Sequence, residues 1–165
     1  MVTLSMTLAR KNDLVTISKI LTDATKHKNK YQDRTWGDEA WSEQEVKGMM
    51  REGDTYLLRL GSETVGTLML LWEDDQSWDD QPPVAGYLHK LAIKDGFHGQ
   101  DLGSQAIELA LSKVIEKNRS FLRLDCEESN QTLCQYYENH GFHKVGSKTF
   151  TSKSNYTAAL YERAA

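Results

Sequence analysis

The 165-residue sequence has little proline, little cysteine and no long apolar run, and each shortage narrows what the protein can be. Its only prolines, Pro82 and Pro83, are adjacent in one polar stretch, so no proline-rich linker divides the chain. Its two cysteines, Cys126 and Cys134, are too few for a disulfide framework and match no common zinc spacing; they read as reduced packing residues. No apolar segment approaches the ~20 residues that span a bilayer, which argues against a membrane protein. The N-terminal residues lack a basic segment followed by an apolar one, so no secretory signal is visible and the expected compartment is the cytoplasm. A clustered basic excess is also missing: the net charge is -4, which argues against a nucleic-acid partner.

What is present fits one soluble domain, with 39% apolar and 27% charged residues. Val2, Leu4, Met6 and Leu8 share one face of an opening strand by period two. Asn12 or Asp13 can cap a helix carrying Leu14, Ile17, Leu21 and Ala24, and Ser42 with Glu45 forms a capping-box pattern for a second helix ending at Gly53. "TYLLRL" and "TVGTLMLLW" flank the tight turn "GSE" as a hairpin. After the polar run "EDDQSWDDQPP" come a strand "VAGYLHKLAI", a helix from Leu102 to about Lys117 and a strand "SFLRLDC". Asn130 caps a helix that Gly141 ends, and "FHKVGSKTF" and "YTAALYE" close as strands. The order predicts an α/β (α+β) domain over residues 1–165: a mixed sheet of about six to seven strands flanked by about four helices. Parallel pairing is expected in the strand, helix, strand segment 84–126.

The segment "GFHGQDLGSQ", residues 96–105, places three glycines between an apolar strand and a helix. A glycine-rich turn opening a helix aims unpaired backbone N–H groups in one direction, at the positive end of the helix dipole, and suits a phosphate. The same glycines also serve an ordinary turn. The P-loop pattern is absent, and Gly96, Gly99 and Gly103 miss the spacing of a dinucleotide fold.

With "YLHKLAI" before it and "LRLDCEESN" and "YYENHGF" after it, the segment resembles the GNAT superfamily of N-acetyltransferases, whose motif is an apolar strand, then [QR]-x-x-G-x-[GA] opening a helix, and a later Y-x-x-x-G-F. The likeness covers roughly residues 55–150. His98 stands where the family has Arg or Gln, and Asp101 where it has Gly; an acid there either opposes a pyrophosphate by repulsion or turns its carboxylate away to cap the helix.

The resemblance implies a single-domain GNAT fold and acetyl-CoA as co-substrate, with no metal. It implies the pantetheine arm along Leu91, Ala92 and Ile93, the pyrophosphate on the turn of His98, Gly99, Gln100, Asp101, Leu102, Gly103 and Ser104, and further cofactor contacts from Asn130 and Tyr137. A main-chain N–H of Leu91 or Ala92 would face the oxyanion. Tyr137, the tyrosine of Y-x-x-x-G-F, is implied as the acid that protonates the leaving thiolate; its neighbour Tyr136 competes for that role. His89 matches the second histidine of the "HLHVLAV"-like strand of arylalkylamine N-acetyltransferases and is the candidate base, or else a hydrogen-bonded sheet histidine. Tyr87 takes the place of the first.

Tyr31, Trp36 and Trp41 fall in the region that the resemblance implies covers the acceptor, where aromatic faces attract cations, or else pack between two short helices; Glu73 and Tyr87 are further candidate acceptor contacts. The acids Glu73, Asp74, Asp75, Asp79 and Asp80 could draw a cationic amine but read first as a solvated loop. The expected reaction is acetyl transfer by direct attack of a small-molecule amine. Alternatives are a protein or peptide amine acetyltransferase and a non-catalytic acyl-CoA-binding module, and a homodimer is left open.

Overall fold

The computed structural model describes residues 3–30, 33, 35–37, 40–151 and 155–165. Val2 and Tyr31 lie outside the described residues. Strand β1 (Leu4–Leu8) leads through a single 3-10 turn into α1 (Leu14–Lys30), where the Asp13 carboxylate accepts the Arg10 backbone N–H at 2.7 Å. The helix runs on through the basic stretch to Lys30. The Ser42 hydroxyl caps α2 (Glu43–Glu52) by accepting the Glu45 N–H at 3.1 Å, as the capping box requires. Hairpin strands β2 (Asp54–Leu60) and β3 (Glu63–Leu71) follow.

The polar run contains one helical turn, α3 (Asp75–Trp78), which the sequence reading lacks. It is capped by Asp74, whose Oδ1 accepts the Ser77 N–H at 3.3 Å, and it buries Trp78. Then come β4 (Ala85–Ile93), α4 (Leu102–Glu116), β5 (Phe121–Glu127), α5 (Gln131–Asn139), β6 (His143–Phe150) and β7 (Tyr156–Ala164).

Among the described residues seven strands form one sheet in the order β1-β2-β3-β4-β5-β7-β6, with β4 and β5 the only parallel pair. Alternation along the strands divides the apolar residues between two helical layers. Tyr56, Leu58, Leu68 and Leu70 join Ala106, Ile107, Ala110 and Val114 of α4 on one face. Leu57, Met69 and Ala92 join Ile17, Leu21, Val46 and Met49 of α1 and α2 on the other. Leu4 of the expected β1 face is buried and Met6 packs against the core, whereas Leu8, at the end of this edge strand, is 59% exposed.

Two features of β4 open the sheet. Its parallel pairing with β5 stops after Ala85↔Phe121, Gly86↔Leu122 and Tyr87↔Arg123, so from Leu88 onward the strands diverge. Against β3, Met69 faces His89 and Thr67 faces Ala92, leaving Lys90 and Leu91 opposite Leu68 alone. This is a β-bulge, and Lys90 takes φ +54° to make it.

Candidate active site

The turn between β4 and α4 is built by backbone conformation. Gly96 and Gly99 take φ +93° and +83°. Asp101 follows at φ +60°, in the left-handed region that aspartate tolerates better than most side chains. Its carboxylate makes no capping hydrogen bond, which removes the capping alternative: the residue serves through its backbone, adopting the conformation for which glycine is the usual choice. The first bond of α4 runs from Gln105 N–H to Asp101 C=O at 3.3 Å, so the N–H groups of Leu102, Gly103 and Ser104 precede the helical ladder. Gly103 allows a close approach: a Cβ there would lie 2.3 Å from the Tyr136 hydroxyl, so the end of that side chain would have to shift.

A cleft of about 410 Å³ adjoins this turn, lined by Leu91, Ala92 and Ile93 of β4, by His98, by Asn130 and Tyr136, and by the basic end of α1 at His27 and Lys28. His98 is exposed, stands 3.6 Å from the Asp95 carboxylate and stacks on His27 with 6.2 Å between ring centroids. Gly99, Gln100 and Asp101 are exposed along the turn, while the Leu102 side chain enters the core. Asn130 lines the cleft with its amide already engaged: Oδ1 accepts the Leu133 N–H at 3.2 Å, capping α5, and Nδ2 donates to Asp33 at 2.7 Å. Burial alone would raise the Asp33 pKa, but Lys28 at 3.1 Å and the donors from Thr35 and Asn130 outweigh it and hold the carboxyl below its ordinary value. Asp33 thereby ties the end of α1 to the start of α5 across the cleft.

A second cleft of about 530 Å³ lies on the other side of the bulge. The two share Lys28, Trp36, Leu91 and Leu133, which form the neck between them. His89 and Tyr137 both line this second cleft, together with Glu52, Glu73, Asp74, Asp75, Lys90 and Asp125. His89 Nε2 bonds the Asp74 carboxylate at 2.8 Å, and one ligand atom each from Asp74, His89 and Asp125 lie within 4.8 Å of one another. Burial raises the pKa of Asp125, against lowering contributions from His89, Lys90 and Ser77. Burial likewise holds the Tyr137 phenol far above its ordinary value, so it stays protonated. Its ring packs edge-on against Phe142 at 5.6 Å. Tyr136 packs edge-on against the Tyr137 ring, 5.4 Å between centroids, but lines the first cleft, over α4, where burial and the Asp101 charge raise its pKa.

Several acceptor-side candidates separate here. Trp36 lines both clefts and Glu73 lines the second. Trp41 is docked on α1, its indole N–H donating to Thr25 Oγ1 at 2.9 Å, and its ring faces Lys90. Tyr87 is not an acceptor contact: it is 3% exposed, covered by Trp78 of α3, and its hydroxyl accepts from Arg123 Nη1 at 3.0 Å. Within the acidic run, Asp79 and Asp80 are exposed as expected, but the Asp74 side chain is only 6% exposed and belongs to the His89 site rather than to a solvated loop. Cys126 and Cys134 are buried and free, with sulfurs 3.7 Å apart. Asp74, Lys90, Asp125 and the Asp33 tie are absent from the site read in sequence; only the first carried a signal, its place in the acidic run.

The profile of the Acetyltransferase (GNAT) family matches residues 17–142. The chain belongs to the GNAT acetyltransferase family. It is 26% identical over 108 residues to the uncharacterized N-acetyltransferase YesJ of Bacillus subtilis, a match covering 62% of this chain and 60% of that relative. A GNAT-family acetyltransferase from Listeria monocytogenes superposes with a TM-score of 0.77 at 25% identity, over 98% of this chain and 95% of that one. The same GNAT fold is shared with AAC(6')-Ib, solved with ribostamycin and coenzyme A, at a TM-score of 0.78 and 16% identity over 98% and 93% of the two chains. Among the described residues no helix is long and apolar enough to cross a membrane.

Proposed function

We propose that the protein is an acetyl-CoA-dependent N-acetyltransferase whose acceptor is a small, positively charged primary amine, acting in the cytoplasm. The observation that carries this reading is the His89–Asp74 pair at 2.8 Å within an acidic, aromatic-walled cleft that joins the splay between β4 and β5. Acetyl-CoA would place its pyrophosphate on the N–H groups of residues 102–104 and its pantetheine amides against the β4 edge at Leu91–Ile93, which β5 leaves free. The thioester would then reach the neck between the clefts. That coenzyme A occupies AAC(6')-Ib, which has the same fold, supports this placement.

The acids Glu52, Glu73, Asp75 and Asp125 attract an ammonium group, and Trp36 offers it an aromatic face. An alkylammonium with a pKa near ~10.4 must lose a proton before it attacks. With Nε2–H donating to Asp74, His89 keeps a lone pair on Nδ1 to take that proton directly or through water. Asp74 positions the ring and stabilises the imidazolium. The amine nitrogen attacks the thioester carbonyl, a bulge N–H at Leu91 or Ala92 receives the oxyanion, and Tyr137 protonates the departing thiolate.

The test is calorimetric titration with acetyl-CoA, then thiol release with spermidine, ribostamycin and an N-terminal peptide as acceptors. Binding with release on the two small polyamines is expected. Release on the peptide alone would move the acceptor to proteins, and binding without release on any amine would favour an acyl-CoA-binding module.

A further inference from the structure

An enzyme that acetylates amines has to keep its own lysines protonated or distant from the thioester. Two lysines line the acceptor cleft, and the fold treats them differently. Lys28 Nζ is tied into an ion pair, 3.1 Å from the wholly buried carboxylate of Asp33. Lys90 has no ion-pair or hydrogen-bond partner among the described residues. Its Nζ faces aromatic rings instead, 5.3 Å from the centroid of Trp36 and 5.1 Å from that of Trp41. The charged groups around it, Asp125 on β5, Glu52 on α2, Lys28 on α1 and Asp74 before α3, act on it through space, and burial outweighs them, pushing its pKa down to about 8. At neutral pH about a tenth of such an amine is uncharged, against well under a thousandth for an ordinary lysine.

Position completes the case. Lys90 is the bulge residue itself, immediately before the Leu91–Ile93 edge, and its side chain lines the same cleft as His89 and Tyr137. We propose that Lys90 is a self-acetylation site: with acetyl-CoA bound and the acceptor cleft empty, its side-chain amine takes the acetyl group. The inference rests on the proposed acetyl-CoA-dependent function. The Lys90 nitrogen forms a C–N bond to the thioester carbonyl carbon and the C–S bond breaks. The nitrogen's proton passes to His89 or water, and the thiolate takes a proton from Tyr137 and leaves as the CoA thiol. No oxidant, reductant or third reactant is needed. The resulting amide is uncharged and bulkier than the amine, and it fills the space meant for the acceptor, so the enzyme closes itself when cofactor is plentiful and acceptor scarce.

The experiment incubates the full chain with acetyl-CoA and no acceptor, and follows intact mass, peptide mapping and, in parallel, calorimetric binding of acetyl-CoA. A gain of about 42 Da, one acetyl for one hydrogen, is expected on Lys90 and should resist hydroxylamine as an amide does. Lys90→Arg should still bind acetyl-CoA and lose that mass. Acetyl-CoA binding with no mass on Lys90, or mass spread over surface lysines equally in Lys90→Arg and in heat-unfolded protein, overturns the inference and leaves the proposed function standing. Absence of acetyl-CoA binding overturns both.

Discussion

The two clefts that meet at the β4 bulge are made from different materials. The one beside "GFHGQDLGSQ" has side-chain walls but adjoins a frame of backbone: left-handed residues at Gly96, Gly99 and Asp101, the N–H groups that precede the helical ladder of α4, and a strand edge that β5 abandons. The other is built from side chains, with Asp74, His89, Asp125 and Tyr137 converging from four separate segments. The difference explains how the turn keeps its form with an acid in it. Asp101 can stand in the usual glycine's place because aspartate tolerates the turn's left-handed φ of +60° better than most side chains, and the basic end of α1 at His27 and Lys28 lines that cleft beside the exposed His98. Groups that bind by backbone tolerate such changes, whereas a site made of side chains changes its chemistry with each one.

Breaking one half should leave the other working. The largest effect is expected from His89→Ala, which should lower kcat by about 10²–10³-fold while the Kd for acetyl-CoA stays unchanged; steady-state kinetics beside calorimetry checks both. Gly103→Val should do the reverse, weakening acetyl-CoA by on the order of a hundredfold, or ~2.7 kcal/mol, because its side chain would meet the Tyr136 hydroxyl and shift it at the start of α4, the proposed pyrophosphate site. Tyr137→Phe should lower kcat about tenfold with little change in cofactor affinity, since the ring packing on Phe142 survives and only the proton donor is removed.

A separate effect concerns stability and pH. Lys90 has a folded pKa of about 8, below the 10.5 of a free lysine, so the unfolded chain binds the extra proton between those values. Its burial therefore costs stability below pH 8, and the cost fades as pH rises toward 10.5. Lys90→Met should raise the unfolding free energy by about 2 kcal/mol at pH 7, with the gain shrinking at high pH in denaturant titrations.

The same division decides what could be read from the letters. Strands with period two, the Ser42 and Asn130 caps, and the glycine turn are local, so the element order and the family motif were legible. The one-turn helix at Asp75–Trp78 was hidden in a polar run, because only tertiary burial of Trp78 reveals it. Tyr87 looked like a site residue from its place in the motif, yet α3 covers it. Asp125 and Lys90 join the site only because β4 bulges and parts from β5, and no residue pattern in "LRLDC" or "YLHKLAI" announces that separation.

The most direct test of this division is a calorimetric titration of acetyl-CoA into the double variant His89→Ala/Tyr137→Phe. The backbone cleft should bind acetyl-CoA within about twofold of the unaltered protein, a difference of ~0.4 kcal/mol, although turnover is gone. A loss of tenfold or more would show that the side-chain half holds the cofactor, contrary to this account.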